Sequence, residues 1–183
     1  MSCPLSKAIL LVDGYNIIGA WSCLKRTRDA AGLEPARCEL IEALTNYSAF
    51  ENYQTKIVFD AHYQNTSSHQ EVITGNLLVY YTNFGQTADT YIEKACATLR
   101  TEINRSTISR VIVATSDRAQ QLMIQGYGAE WISAHQLCCL VRDSLCRVKR
   151  KSKAHKQSKA RFLANSIDPK SRQRLTELRM QLK

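Results

Sequence analysis

The sequence predicts an α/β protein built on a mostly parallel sheet with helices on both faces. Two observations carry this: short continuous apolar runs recur along the chain, and segments of helical periodicity fill most of the gaps between them. A third observation concerns chemistry. Several of those runs end on, or lead into, an aspartate.

The first run, AILLV at 8–12, is uniformly apolar, as expected of a strand buried on both faces, and it stops at Asp13-Gly14-Tyr15-Asn16. Residues 36–50 then place Leu40, Ile41, Leu44 and Tyr47 on one helical stripe. KIVFDA at 56–61 is a second strand closing on Asp60, and residues 62–75 (HYQNTSSHQEVITG) are polar and unperiodic, reading as an exposed loop bordering a cleft. NLLVYYT at 76–82 is a third strand. The helix that follows sets Ala88, Ile92, Cys96, Leu99 and Ile103 at helical spacing, with Thr87 as its N-cap and Asp89 in its first turn. RVIVATSD at 110–117 is a fourth strand ending in Asp117, followed by a short helix closed by glycine. AEWIS at 129–133 is a weaker fifth, and Ser133 caps a longer helix.

The chain has 183 residues, enough for one domain with a hydrophobic core and a short appendage. Charge divides it at the same place. Residues 1–146 hold 12 Lys/Arg and 14 Asp/Glu, whereas 147–183 hold 13 and 2. A mildly acidic body, 1–146, thus carries a strongly basic extension, 147–183, which suits a polyanionic partner such as nucleic acid better than a small neutral substrate. The alternative is a solvated tail serving solubility. RVKRKSKAHKQSKAR at 147–161 contains eight Lys/Arg and no acid, among them Lys149, Arg150, Lys151 and Lys153. Its opening can prolong the preceding helix, but it offers little apolar area to hold it down, so it is expected to be partly disordered without a partner. Asp168 as cap, Pro169 at the first helical position and Leu175, Leu178 and Leu182 predict a terminal helix.

Seven cysteines, an odd number without a CxxC pair, argue against a disulfide framework or zinc site and for a reducing compartment. No apolar run is long enough to span a membrane, and the N-terminus lacks a signal-peptide layout. The expected location is cytoplasmic, or an organellar matrix or stroma where a transit segment has been removed. The phosphate loop GxxxxGK[ST], the dinucleotide fingerprint GxGxxG and the nucleophile elbow GxSxG are all missing, and the four histidines lack metal-ligand spacing.

In parallel α/β sheets functional groups gather beyond the carboxyl ends of the strands. Asp13, Asp60, Asp89 and Asp117 all hold such positions. Glu93 lies four residues after Asp89 on one helix, so the two acids either share a cation or repel, Glu93 then pairing with Lys94 or facing solvent. Carboxylates are the hard ligands that Mg²⁺ or Mn²⁺ prefers. Each acid also has a structural alternative as a cap or hydrogen-bond acceptor, and Asn16 either caps the next turn or orients a ligand or water. Thr87, Ser116 and Arg118 stand near helix starts, where phosphate is readily held; capping, or an ion pair for Arg118, is the competing role. Tyr15 and Trp21 either stack on bases or pack beside the first strand.

The segments ILLVDGYNIIGAW, KIVFDAH, TADTYIE, VIVATSDRAQQ and GAEWISAHQL, in this order, resemble the YacP-like branch of the NYN domains within the PIN-like nuclease superfamily. The similarity extends over residues 8 to about 146, with IDPKSRQRLTELR also similar. The resemblance implies a PIN-like three-layer α/β/α sandwich and a metal-dependent endoribonuclease acting on RNA, one bacterial type cleaving messenger RNA on the ribosome. It carries the acidic-site role onto Asp13, Asp89 and Asp117, with Asn16 in support and Asp60 and Glu93 as further contributors. Phe84 and Gln86 depart from the more acidic or charged version of their segment in many relatives, which keeps a weakly active or purely RNA-binding protein as the alternative.

Overall fold

The apolar run after Lys7 has no polar face to turn to water, and it forms the central strand of a six-stranded sheet. In the computed structural model, which describes residues 7–60, 68–104, 108–166, Arg174 and Glu177, the strands are β1 (Lys7–Asp13), β2 (Tyr53–Phe59), β3 (His69–Thr74), β4 (Leu77–Tyr81), β5 (Ile108–Ala114) and β6 (Glu130–Ile132). Their order is β3-β4-β2-β1-β5-β6, parallel throughout except for β3 against β4. The helices are α1 (Gly14–Ala20), α2 (Ser22–Ala31), α3 (Leu33–Glu51), α4 (Ala88–Asn104), α5 (Arg118–Gly126) and α6 (Ala134–Ser166). The mostly parallel α/β sandwich expected from the sequence is thus what the chain adopts.

Side-chain alternation along β1 divides the core. Leu10 and Val12 face one side, with Leu40 and Leu44 of α3 and Leu137 of α6, while Leu11 faces the other, with Ile92 and Cys96 of α4 and Ile124 of α5. Trp21, at the junction of α1 and α2, is buried and donates its indole N–H to the Ala134 carbonyl at 2.7 Å across 113 residues. Trp21→Phe strands that carbonyl in the core and is expected to lower stability by about 1–3 kcal/mol, read by denaturant unfolding.

The chain leaves β1 toward β2 and β4, then returns to place β5 on β1's other side. The carboxyl ends of β1 and β5 therefore flank the point where the winding reverses, the place where such sheets open a ligand crevice.

One expectation needs correction. The predicted loop 62–75 contains β3: Gly75-Asn76 turns a hairpin, and residues 69–74 are polar because an edge strand leaves much of its surface in water. Residues 61–67 lie outside the described residues. Along 147–161 α6 continues the preceding helix and runs on to Ser166; no Gly or Pro interrupts it, and its Lys, Arg and Ala residues are strong helix formers. The helix predicted after Asp168 falls outside the described residues, apart from Arg174 and Glu177. By internal contacts the chain divides into two units, Met1–Ser144 and Leu145–Lys183.

Candidate active site: four aspartates at the strand ends

Each aspartate accepts a hydrogen bond from an N–H group, local in sequence for Asp13 and Asp117 and from a distant segment for Asp60 and Asp89. Asp13 ends β1 and caps α1, accepting from the Asn16 amide at 3.1 Å. Asp60 follows β2 and accepts from the Ala88 amide at the start of α4. Asp89, in the first turn of α4, accepts from the Gln120 side chain at 2.6 Å. Asp117 caps α5, accepting from the Ala119 amide at 2.7 Å. Asn16 spans the reversal point: its side-chain oxygen accepts from the Ser116 amide at 2.9 Å, joining the end of β1 to the segment after β5.

The four carboxylates share one electrostatic environment. Asp13 is raised from 3.8 to about 6, first by burial, opposed by the Asn16 hydrogen bond, then by the charges of Asp89, Asp60 and Asp117. Asp89 is raised as well, by burial and by Asp117 and Asp60. None of the four is in an ion pair among the described residues. This is concentrated negative charge without a protein counter-charge.

Glu93 is directed elsewhere. The Tyr127 hydroxyl donates to its Oε1 at 3.2 Å, and Glu93 is not among the acids that perturb Asp13 or Asp89. Thr87 caps α4, its hydroxyl accepting from the Thr90 amide at 3.2 Å. The Ser116 amide is already committed to Asn16, while Arg118 is exposed and in no ion pair among the described residues. Lys149 and Arg150 are exposed on α6, and Lys151 and Lys153 follow on the same helix, all four in the second unit.

Three supporting residues were not marked by the sequence. Gln120 is buried on α5 and fixes Asp89, with its own Oε1 lacking a partner. Its signal was a polar side chain three positions past Asp117, on the helix face that closes over the sheet. Gln120→Met preserves the packing but frees Asp89, and should reduce Mn²⁺ affinity severalfold in titration calorimetry while changing the melting temperature little. Phe59 presses its ring against Gly14, where a Cβ would lie 2.5 Å from Cδ1 and 2.8 Å from Cζ. Arg37 stands over that ring at 6.0 Å and donates to the Tyr15 hydroxyl at 3.2 Å.

Among the described residues, no three of His, Cys, Asp and Glu stand together as a ready-made metal centre. The donor set nevertheless fits a hard divalent cation, because its oxygens are carboxylates whose mutual repulsion a cation would relieve. Among the described residues no helix is long and apolar enough to cross a membrane.

Comparison with known proteins identifies the family and the fold. Residues 10–180 match the YacP-like NYN domain. The chain is 36% identical over 143 residues to the uncharacterized protein YacP of Bacillus subtilis (strain 168), spanning 78% of this chain and 80% of that protein. The fold matches the crystal structure of Rae1 (YacP) from Bacillus subtilis with a TM-score of 0.67 at 32% identity, over 95% of this chain and 91% of that one. It matches a mutant form of the same protein with a TM-score of 0.67 at 31% identity, over 93% and 99% of the two chains. The chain belongs to the YacP-like NYN domain family.

Proposed function

We propose that this chain is a divalent-metal-dependent endoribonuclease, and that messenger RNA on the ribosome is its substrate. The observation that supports this reading is the electrostatic influence of Asp89, Asp60 and Asp117 on Asp13, with none of the four in an ion pair among the described residues, beside the point where the sheet's winding reverses. Family membership and the basic C-terminal segment support it.

Asp13, Asp89 and Asp117 would hold Mg²⁺ or Mn²⁺, partly through water, as Mg²⁺ commonly requires. A bound ion of this kind supplies Lewis-acid charge for a phosphodiester and lowers the pKa of a bound water. The protein's own groups set the stage. Asn16 locks the β1 end to the Ser116 backbone, and Asp60 pins the start of α4 and so the position of Asp89. Arg118, exposed and in no ion pair among the described residues, offers its guanidinium to a phosphate, and Lys149, Arg150, Lys151 and Lys153 supply sequence-independent attraction for RNA.

Labelled RNA, free and ribosome-bound, should be cut with Mn²⁺ and left intact with chelator, giving 5′-phosphate and 3′-hydroxyl ends. Equal cleavage in chelator sinks the metal-dependent reading. Binding without cleavage under every metal and ribosome condition would instead favour a non-catalytic RNA-binding module.

A further inference from the structure

On the α4 side of the sheet, β4 and β3 extend beyond the helix and leave a cavity of about 730 Å³ between α4 and the strands. Its floor contains a feature unexpected for a strand flanked on both sides. Lys56 lies mid-β2, registered with Leu11 on β1 and Leu78 on β4, where a packed sheet face usually carries an apolar side chain. Its ammonium donates to the Tyr91 hydroxyl at 2.8 Å and lies 5.3 Å from that ring's centroid. Tyr91 in turn stacks on Tyr80, centroids 4.1 Å apart and planes 23° apart.

The rest of the lining has the same character. Lys94 on α4 is the second cation, and the walls include half-buried Leu78 and Val72, which is 70% exposed. No Asp or Glu lines the cavity, and neither lysine is in an ion pair among the described residues. Gln86 is also on the wall, three residues before Asp89 in the chain. Lys56 is four strand residues before Asp60, about 13 Å at the usual rise.

We infer that this groove is a strand subsite: it holds a nucleotide of single-stranded RNA a short distance along the chain from the phosphate at the aspartates, with Lys56 and Lys94 on the backbone and the Tyr80–Tyr91 wall against a base. Charge complementarity selects the occupant. A polyanion with flat rings satisfies two lysines that lack an ion pair among the described residues and an aromatic and aliphatic wall together, whereas an apolar peptide would bury both lysines without a counter-charge. The subsite also makes the groove and the acids parts of one path, with cations where the strand is gripped and carboxylates where it is cut. It rests on the nuclease reading above and adds where the strand runs.

The test uses the full chain with Lys56→Met and Lys94→Gln, the latter on an exposed helix face that tolerates the change. Binding of a short fluorescein-labelled single-stranded oligoribonucleotide is followed by anisotropy across a salt series in chelator. Each variant should bind severalfold more weakly, and the log–log salt slope should fall by about 0.7 per lysine. In Mn²⁺, KM for cleavage should rise while kcat stays near wild type. Unchanged affinity and slope in both variants, with cleavage intact, overturns the subsite and leaves the nuclease reading standing. A lysine-dependent slope in a chain that cleaves no RNA under any condition supports the subsite and removes the nuclease reading. Uridine or adenosine 5′-monophosphate binding as tightly as the oligonucleotide, and losing that affinity in Lys56→Met, marks a free-nucleotide site and overturns the strand assignment.

Discussion

Asp13→Asn should abolish RNA cleavage, by about a hundredfold or more, and at the same time make the metal-free protein more stable. The two effects share one cause. Asp13 is half-buried among three other carboxylates and is raised from 3.8 to about 6. The folded protein therefore holds this proton over a pH range in which the unfolded chain has released it. Stability from this group is full below 3.8 and is lost as pH rises through about 6, a difference on the order of 3 kcal/mol. Asp89, raised in the same direction, adds to the trend. Asparagine removes the charge and still caps α1. Denaturant unfolding in chelator should show wild-type stability declining from pH 3.8 to about 6 and a shallower decline for Asp13→Asn, which should be the more stable of the two at neutral pH. Adding Mn²⁺ should close or reverse the gap, because only the wild type has the full charge to hold the ion. A site costly to the fold and, on the proposed nuclease function, needed by the reaction is the usual form of a trade-off between stability and activity.

Gly14→Ala should destabilise the protein by about 2 kcal/mol, although alanine is the better helix former by about 1 kcal/mol. The added methyl meets the Phe59 ring, and that ring cannot move freely. It lies 5.0 Å from Tyr15 and 5.7 Å from Tyr81, with Arg37 above it. Phe59 immediately precedes Asp60, and Gly14 immediately follows Asp13, so relief of the clash displaces two site acids. Cleavage should fall more than the loss of folded protein explains. Gly14→Ala combined with Phe59→Leu, which makes room for the methyl, should be less destabilised than the sum of the single changes.

The positions of Asp13, Asp60, Asp89 and Asp117 were legible because each interrupts or follows an apolar run, and strand ends collect functional groups whatever the sequence between them. The Thr87 and Ser133 caps were legible for a similar local reason, both hydroxyls accepting from the amide three residues on. What could not be read were contacts made by distant segments. Asn16 to Ser116 spans 100 residues and Gln120 to Asp89 spans 31, and nothing local in either sequence reports the partner. Glu93 illustrates the limit. Helical spacing permits it to face the same way as Asp89, yet Tyr127, supplied by the end of α5, takes its carboxylate. Gly14 stood out only as the residue after Asp13, whereas the reason it must be glycine is a ring 45 residues later. The edge strand β3 was lost for a different reason: a strand half in water has no apolar signature, and only Gly75-Asn76 announced its hairpin.

The central claim, that these aspartates form one cation-holding site, is tested most directly by anomalous diffraction from a crystal soaked in Mn²⁺ near neutral pH. A peak among Asp13, Asp89 and Asp117, within direct or one-water reach of each, is the predicted result. An anomalous map from a fully soaked, well-diffracting crystal with no peak there, or with its peaks only at other acids, would contradict it.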